Sequence, residues 1–142
     1  MRVVVSIGTL SLLNLLVRRA LAPMPHRFYR VVSDKHWQDI AGTSRLTPTN
    51  EIWPPYDGGR VYLYPANVPR KYLDSRADEL CDQGWGPAHL LEIEVPDSLS
   101  HRLERDASFA GYEHARVFRG NIDPEDGCVI KHLEQMDCRS SA

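Results

Sequence analysis

The stretch GGRVYLYPANVPRKYLDSRADELCDQGWG, Gly58 to Gly86, contains a complete strand–turn–helix unit. Over Arg60–Tyr64 the side chains alternate, with Val61 and Leu63 on one face and Tyr62 and Tyr64 on the other, the two-residue period of a strand. Pro69 then fits the first turn of a helix, where its missing N–H costs nothing. Tyr72, Leu73, Ala77, Leu80 and Cys81 recur at helical spacing along one side of that helix, and Gly84 ends it. Both elements must bury an apolar face. The tyrosines pose the functional question: Tyr62 and Tyr72, ten residues apart, either pack a small core or wall a pocket for a flat ring.

Working outward, HRFYRVVS (His26–Ser33) is a run of aromatic and β-branched residues and predicts a strand. Ser33 is placed to cap the helix DKHWQDIA, with Trp37, Ile40 and Ala41 inward and Gly42 as its stop. The segment from Gly42 to Gly59 carries three prolines and three glycines and is expected to be a long loop over the functional face. HLLEIEV (His89–Val95) alternates again, with Leu91, Ile93 and Val95 facing the core and Glu92 and Glu94 on a solvated face. Asp97 is placed to cap a short helix containing Leu99 and Leu103. ARVFRG and CVIKHL predict two last strands joined by the turn-rich NIDPEDG. Those late connections are too short for parallel crossovers, so the expected fold is α+β: a small mixed or antiparallel sheet with flanking helices.

The chain has 142 residues, with 42% hydrophobic and 25% charged content and a net charge of −2. This is one ordinary globular domain's worth, with no global attraction for nucleic acid or a membrane surface. Three cysteines without a CxxC pair predict no disulfide framework and a reducing cytoplasm, and the six histidines show no metal-ligand spacing with them. The chain divides into an apolar extension at 1–23, a single domain at 24–137 and a tail at 138–142. The extension VVVSIGTLSLLNLLV is short for a transmembrane helix, so no stable membrane association is expected. Met24 is the favoured true start. A helix docking on the domain, a signal peptide or an anchor are the other readings of residues 1–22, and the last two would make the protein secreted or membrane-anchored.

Four motifs, FYRVVS with its helix and Gly42, GGRVYLYPANVPRKYL, HLLEIEVPDSL and RVFRGNIDPEDGCVI, give the span from His26 to Leu133 a layout that resembles the ADP-ribosyltransferase-like fold. Members with this opening include RES-type NAD-degrading toxins, DNA-targeting ADP-ribosyltransferase toxins and RNA 2′-phosphotransferases. The resemblance implies NAD as substrate and cleavage of its nicotinamide–ribose bond, by an ADP-ribosyltransferase or an NAD glycohydrolase of a bacterial toxin or effector kind. It implies that Arg30 is the basic residue holding NAD, with Gly42 beside it, and that Tyr62 and Tyr72 are the aromatic pair around nicotinamide. Tyr64 is an equal candidate on the face of Tyr62. A guanidinium suits the first role because its planar donors bind pyrophosphate or ribose through two hydrogen bonds at once.

A catalytic carboxylate must stabilise the oxocarbenium character that develops at the ribose. Arg116 stands near the place of that glutamate, so the candidates are Glu113 and, for the RES-type layout, Glu79. The implied partners are an acceptor, protein or nucleic acid, and a neutralising antitoxin or immunity protein. Two other functions stand beside this one. The first is a non-catalytic nucleotide- or protein-binding domain of similar fold. The second is an RNA 2′-phosphotransferase-like enzyme using Arg30, Arg60, His89 and Arg116. Ser33, His36 and Asp39 share one short segment and make an awkward triad; DPEDG lacks the alternation of a calcium loop.

Overall fold

The computed structural model describes residues 26–48, 59–106 and 115–139. Its elements are β1 (His26–Val32), α1 (Asp34–Thr43), β2 (Arg60–Pro65), α2 (Arg70–Asp82), β3 (Ala88–Val95), a 3₁₀ turn (Asp97–Arg102), β4 (Leu103–Arg105), β5 (Arg116–Arg119), a second 3₁₀ turn (Pro124–Asp126) and β6 (Val129–Met136). The fold is α+β, as the sequence predicts. The six strands form one antiparallel sheet in the order β4-β5-β2-β1-β3-β6.

The sheet has a weak middle. β1 and β3 stay in register along all of β1, from His26↔Val95 to Val32↔His89. β1 and β2 pair only through Phe28↔Pro65 and Tyr29↔Tyr64. Two three-stranded halves, β4-β5-β2 and β1-β3-β6, therefore meet at a short seam, and Arg30 is the first β1 residue beyond it.

Two cores occupy the two faces. Phe28, Val32, Val61, Leu63, Leu91, Ile93, Val95 and Phe118 lie beneath α1, joined by Ile40, Leu46, Ile122 and Cys128. Val31, Ala88, Leu90 and Met136 meet Leu73, Ala77 and Leu80 of α2, with Tyr29 and Tyr64 at the margin. Burying a side chain of this size contributes about 1.5–3 kcal/mol, so the sheet is held mainly from its faces. Burial also pushes the thiol of Cys128 up from its ordinary range, which keeps it protonated and unreactive.

Local signals mostly act as the sequence predicts. The Ser33 hydroxyl accepts from the His36 N–H at 3.1 Å, capping α1. α1 runs one residue past Gly42 and stops where Ser44 turns left-handed, at φ 60°. Its buried residues are His36 and Ile40, while Ala41 is exposed. On α2 the buried positions are Leu73, Ala77 and Leu80, and Tyr72 turns outward. Leu103 opens the short strand β4 instead of continuing a helix. Glu92 and Glu94 do lie opposite the first core but are half-buried, each with an oxygen 3.6 Å from the Arg27 guanidinium.

The loop after α1 is pinned at both ends to one turn. Leu46 and Ile122 exchange two backbone hydrogen bonds of 2.9 Å each, and the Gly120 N–H donates to the Gly59 carbonyl at 2.6 Å. Gly59 and Gly120 adopt φ of 102° and 91°, a region where a Cβ is strained. The residues expected to form the loop's middle, 49–58, lie outside the described residues.

The cysteines depart from expectation. Cys81, at the end of α2, is bonded to Cys138, just after β6. Gly86 lies against this bridge so closely that a Cβ there would fall on both sulfurs, which is why no larger residue fits. Three cysteines without a motif give no spacing signal, because this pairing is set by where α2 and β6 end. The bridge closes a loop with a sequence separation of 57. Chain-entropy arguments give such a closure about 4 kcal/mol. Reduction, or Cys81→Ser combined with Cys138→Ser, is expected to lower the free energy of unfolding by about 2–4 kcal/mol. Urea melts with and without reductant measure this, and coincident curves would contradict it.

Candidate functional site

The seam brings charged side chains close to a phenol. Arg30 is only 7% exposed, and its Nη1 donates to the Tyr62 carbonyl of β2 at 2.8 Å. The guanidinium thus crosses the sheet where the ladder between β1 and β2 has stopped. Tyr64, two residues along β2, has its phenol pushed up from the ordinary value near 10 by burial. Arg76 and then Arg30 pull the other way, and Glu79 and Asp106 add smaller upward contributions. Five groups from β1, β2, α2 and the end of β4 therefore share one electrostatic neighbourhood. Tyr64 remains a neutral O–H, able to donate a hydrogen bond at physiological pH.

The structure brings together only part of the predicted set. Arg30, Tyr64 and Glu79 belong to this neighbourhood, and Tyr62 joins it through its backbone. Glu79 is on the exposed side of α2, with its carboxylate 3.1 Å from Arg76 Nη1. Tyr72 is 37% exposed, with Lys71 Nζ 5.3 Å from its ring centre, so it does not fill the core. Gly42 lies in the last turn of α1, exposed, with open space where a Cβ would stand. Glu113 lies outside the described residues. Asp106, buried after β4 with its N–H donating to the Ala115 carbonyl, is a carboxylate that sequence inspection missed. It follows a strand only three residues long, too short to leave a periodic signal.

Of the other basic residues of the phosphotransferase reading, Arg60 lies on β2, His89 on β3 and Arg116 on β5. Arg60 pairs with Glu104 at 3.4 Å. Arg116 donates from Nη1 to the Ala115 carbonyl at 2.9 Å. It also lines an open groove of about 370 Å³ with His26, Phe28, Pro65, Ser100 and Leu103.

His89 belongs to a second cluster. Its Nε2 lies 2.7 Å from Asp34 Oδ1 and its Nδ1 2.9 Å from Nε2 of His132. Trp37 stacks on His89 with centroids 5.8 Å apart and lies tilted against His132 at 4.5 Å. With Nε2–H donating to the carboxylate, a neutral His89 accepts at Nδ1 from His132. His89 and His132 are 43 residues apart and meet only through the β3–β6 register, so nothing in the sequence announces the array. Among the described residues, no group of three or more His, Cys, Asp or Glu is arranged to hold a metal ion. Among the same residues, no helix is long and apolar enough to cross a membrane. No family model, curated protein or solved structure matches the chain.

The raised Tyr64 phenol has a pH consequence. The folded state holds this proton more tightly than the unfolded chain, so its contribution is complete below about pH 10 and is lost as pH rises through the folded value. Urea midpoints between about pH 9 and 11.5 are expected to fall less steeply for Tyr64→Phe than for the parent. Equal slopes would show that the phenol is not held in this way.

Proposed function

We propose that this chain is an NAD-consuming domain of the ADP-ribosyltransferase-like kind, with its site at the seam between the sheet halves. The observation that carries the proposal is the buried Arg30 guanidinium, held across the seam on the Tyr62 carbonyl, with its charge acting on the Tyr64 phenol. In this reading Arg30 holds the anionic pyrophosphate or a ribose of NAD, and Tyr64 offers a ring face and a neutral O–H to the flat nicotinamide. Glu79 or Glu113 stabilises the positive character at the ribose as the carbon–nitrogen bond breaks. The bond's electron pair leaves with neutral nicotinamide. An acceptor, or water, then bonds to the ribose carbon and gives up its proton. Tyr72, 37% exposed, would serve such a site as an outer wall.

A second reading rests on a specific contact. Glu79 is ion-paired with Arg76; with that carboxylate engaged, the seam would bind a nucleotide or a partner and turn nothing over. Nicotinamide release by the full chain distinguishes the two. The parent is expected to turn over NAD. Arg30→Lys, which preserves charge but loses the planar fork, is expected to lower kcat/KM about tenfold or more. Glu79→Gln or Glu113→Gln, whichever residue carries the chemistry, should lower kcat by about 100-fold or more. Circular dichroism confirms folding of each variant. A parent that raises its Tm with NAD but releases no nicotinamide supports the binding reading. Neither release nor a thermal shift overturns both readings for NAD.

A further inference from the structure

Among the described residues β6 is paired on one edge only, with β3. It is also the longer edge of the sheet, eight residues against three in β4 at the other end. Two of the large exposed hydrophobic side chains, Val129 at 40% and Leu133 at 45%, sit on it. An exposed strand edge is a template for another strand. What selects the occupant here is a register irregularity.

Lys131 stands opposite Glu92 and Glu134 opposite Leu90, with the ladder slipping by one residue between Leu90 and Leu91. Three residues apart on a regular strand, Lys131 and Glu134 would point to opposite faces. The slip leaves Leu133 as the extra residue and brings both charges to the same face. A second β6, antiparallel about a two-fold axis between His132 and Leu133, then sets Lys131 against Glu134 of the second copy. The same register sets Val129 against Met136 and Ile130 against Gln135. Each of these pairs joins residues of one face, since Val129 and Lys131 share a face with Glu134 and Met136, and Ile130 and His132 share the other with Gln135. Glu134 is already part of a charged group, with Arg70 between it and Asp74. Its carboxylate is therefore held in place at the edge.

We propose that β6 is a self-complementary docking edge through which two copies of this chain join their sheets, with the Lys131–Glu134 pair repeated twice across the two-fold axis. Cross-strand opposite charges are favourable and like charges directly opposite are unfavourable, so the contact fixes this register as well as adding affinity.

Sedimentation equilibrium of the full chain tests this. The parent is expected to dimerise at micromolar concentration. Lys131→Glu, on the exposed edge, sets glutamate against glutamate twice and is expected to raise the dimer Kd about tenfold or more. Raised salt should recover part of that loss by screening. The double variant Lys131→Glu with Glu134→Lys should restore the parent Kd. If the loss of the Arg70 contact unfolds it, as circular dichroism would show, the salt recovery of the single variant decides. A monomeric parent overturns the proposal. So does a dimer indifferent to Lys131→Glu, which would point to another contact such as the apolar segment 1–22.

Discussion

One guanidinium contact bridges two strands where the ladder between them stops. β1 and β2 share two residue pairs, after which the backbones no longer pair, and Arg30 reaches across to the Tyr62 carbonyl. A buried charge is expensive unless hydrogen-bonded partners surround it, so a position that keeps an arginine there has a reason beyond packing. The arginine that crosses the seam is also one of the charges acting on the Tyr64 phenol. Fold and candidate site are therefore inseparable at this point. Any rearrangement that frees Arg30 for a ligand also loosens the connection between the two halves.

Much of the architecture was legible because local rules and global packing agree. The alternation in Arg60–Tyr64 and His89–Val95, the serine cap on α1 and the short late connections all lead to an antiparallel α+β sheet. Errors occurred where tertiary position overrides a local signal. Tyr72 has the spacing of a core residue, yet α2 needs only Leu73, Ala77 and Leu80 to cover the second core, which leaves the tyrosine outside. Gly42 has the chemistry of a helix stop, but Ser44 takes the left-handed turn two residues later. Leu103 was assigned to a helix because β4 is too short to show its period.

The site was less legible, for reasons of distance along the chain. Arg30, Tyr64 and Glu79 could be named from motifs, but their neighbours could not. Asp106 acts electrostatically on Tyr64 only through the sheet order, His89 meets His132 only through the β3–β6 register, and Cys81 meets Cys138 only because α2 and β6 end side by side. No spacing rule carries such information, since each pairing depends on elements that do not adjoin in sequence.

The chain between Leu46 and Gly59 leaves from and returns to the same turn, bonded to Ile122 on one side and Gly120 on the other. Its two ends are thus fixed relative to each other regardless of what lies between them. For a loop so cinched, doubling its length adds only about 0.6 kcal/mol to the entropic cost of closure. By that measure, lengthening the connection changes the cost of closing it very little. A scaffold of this kind separates the part that can diversify from the part that must stay constant, and this loop is where a lineage of such proteins could vary in length and composition without refolding the domain.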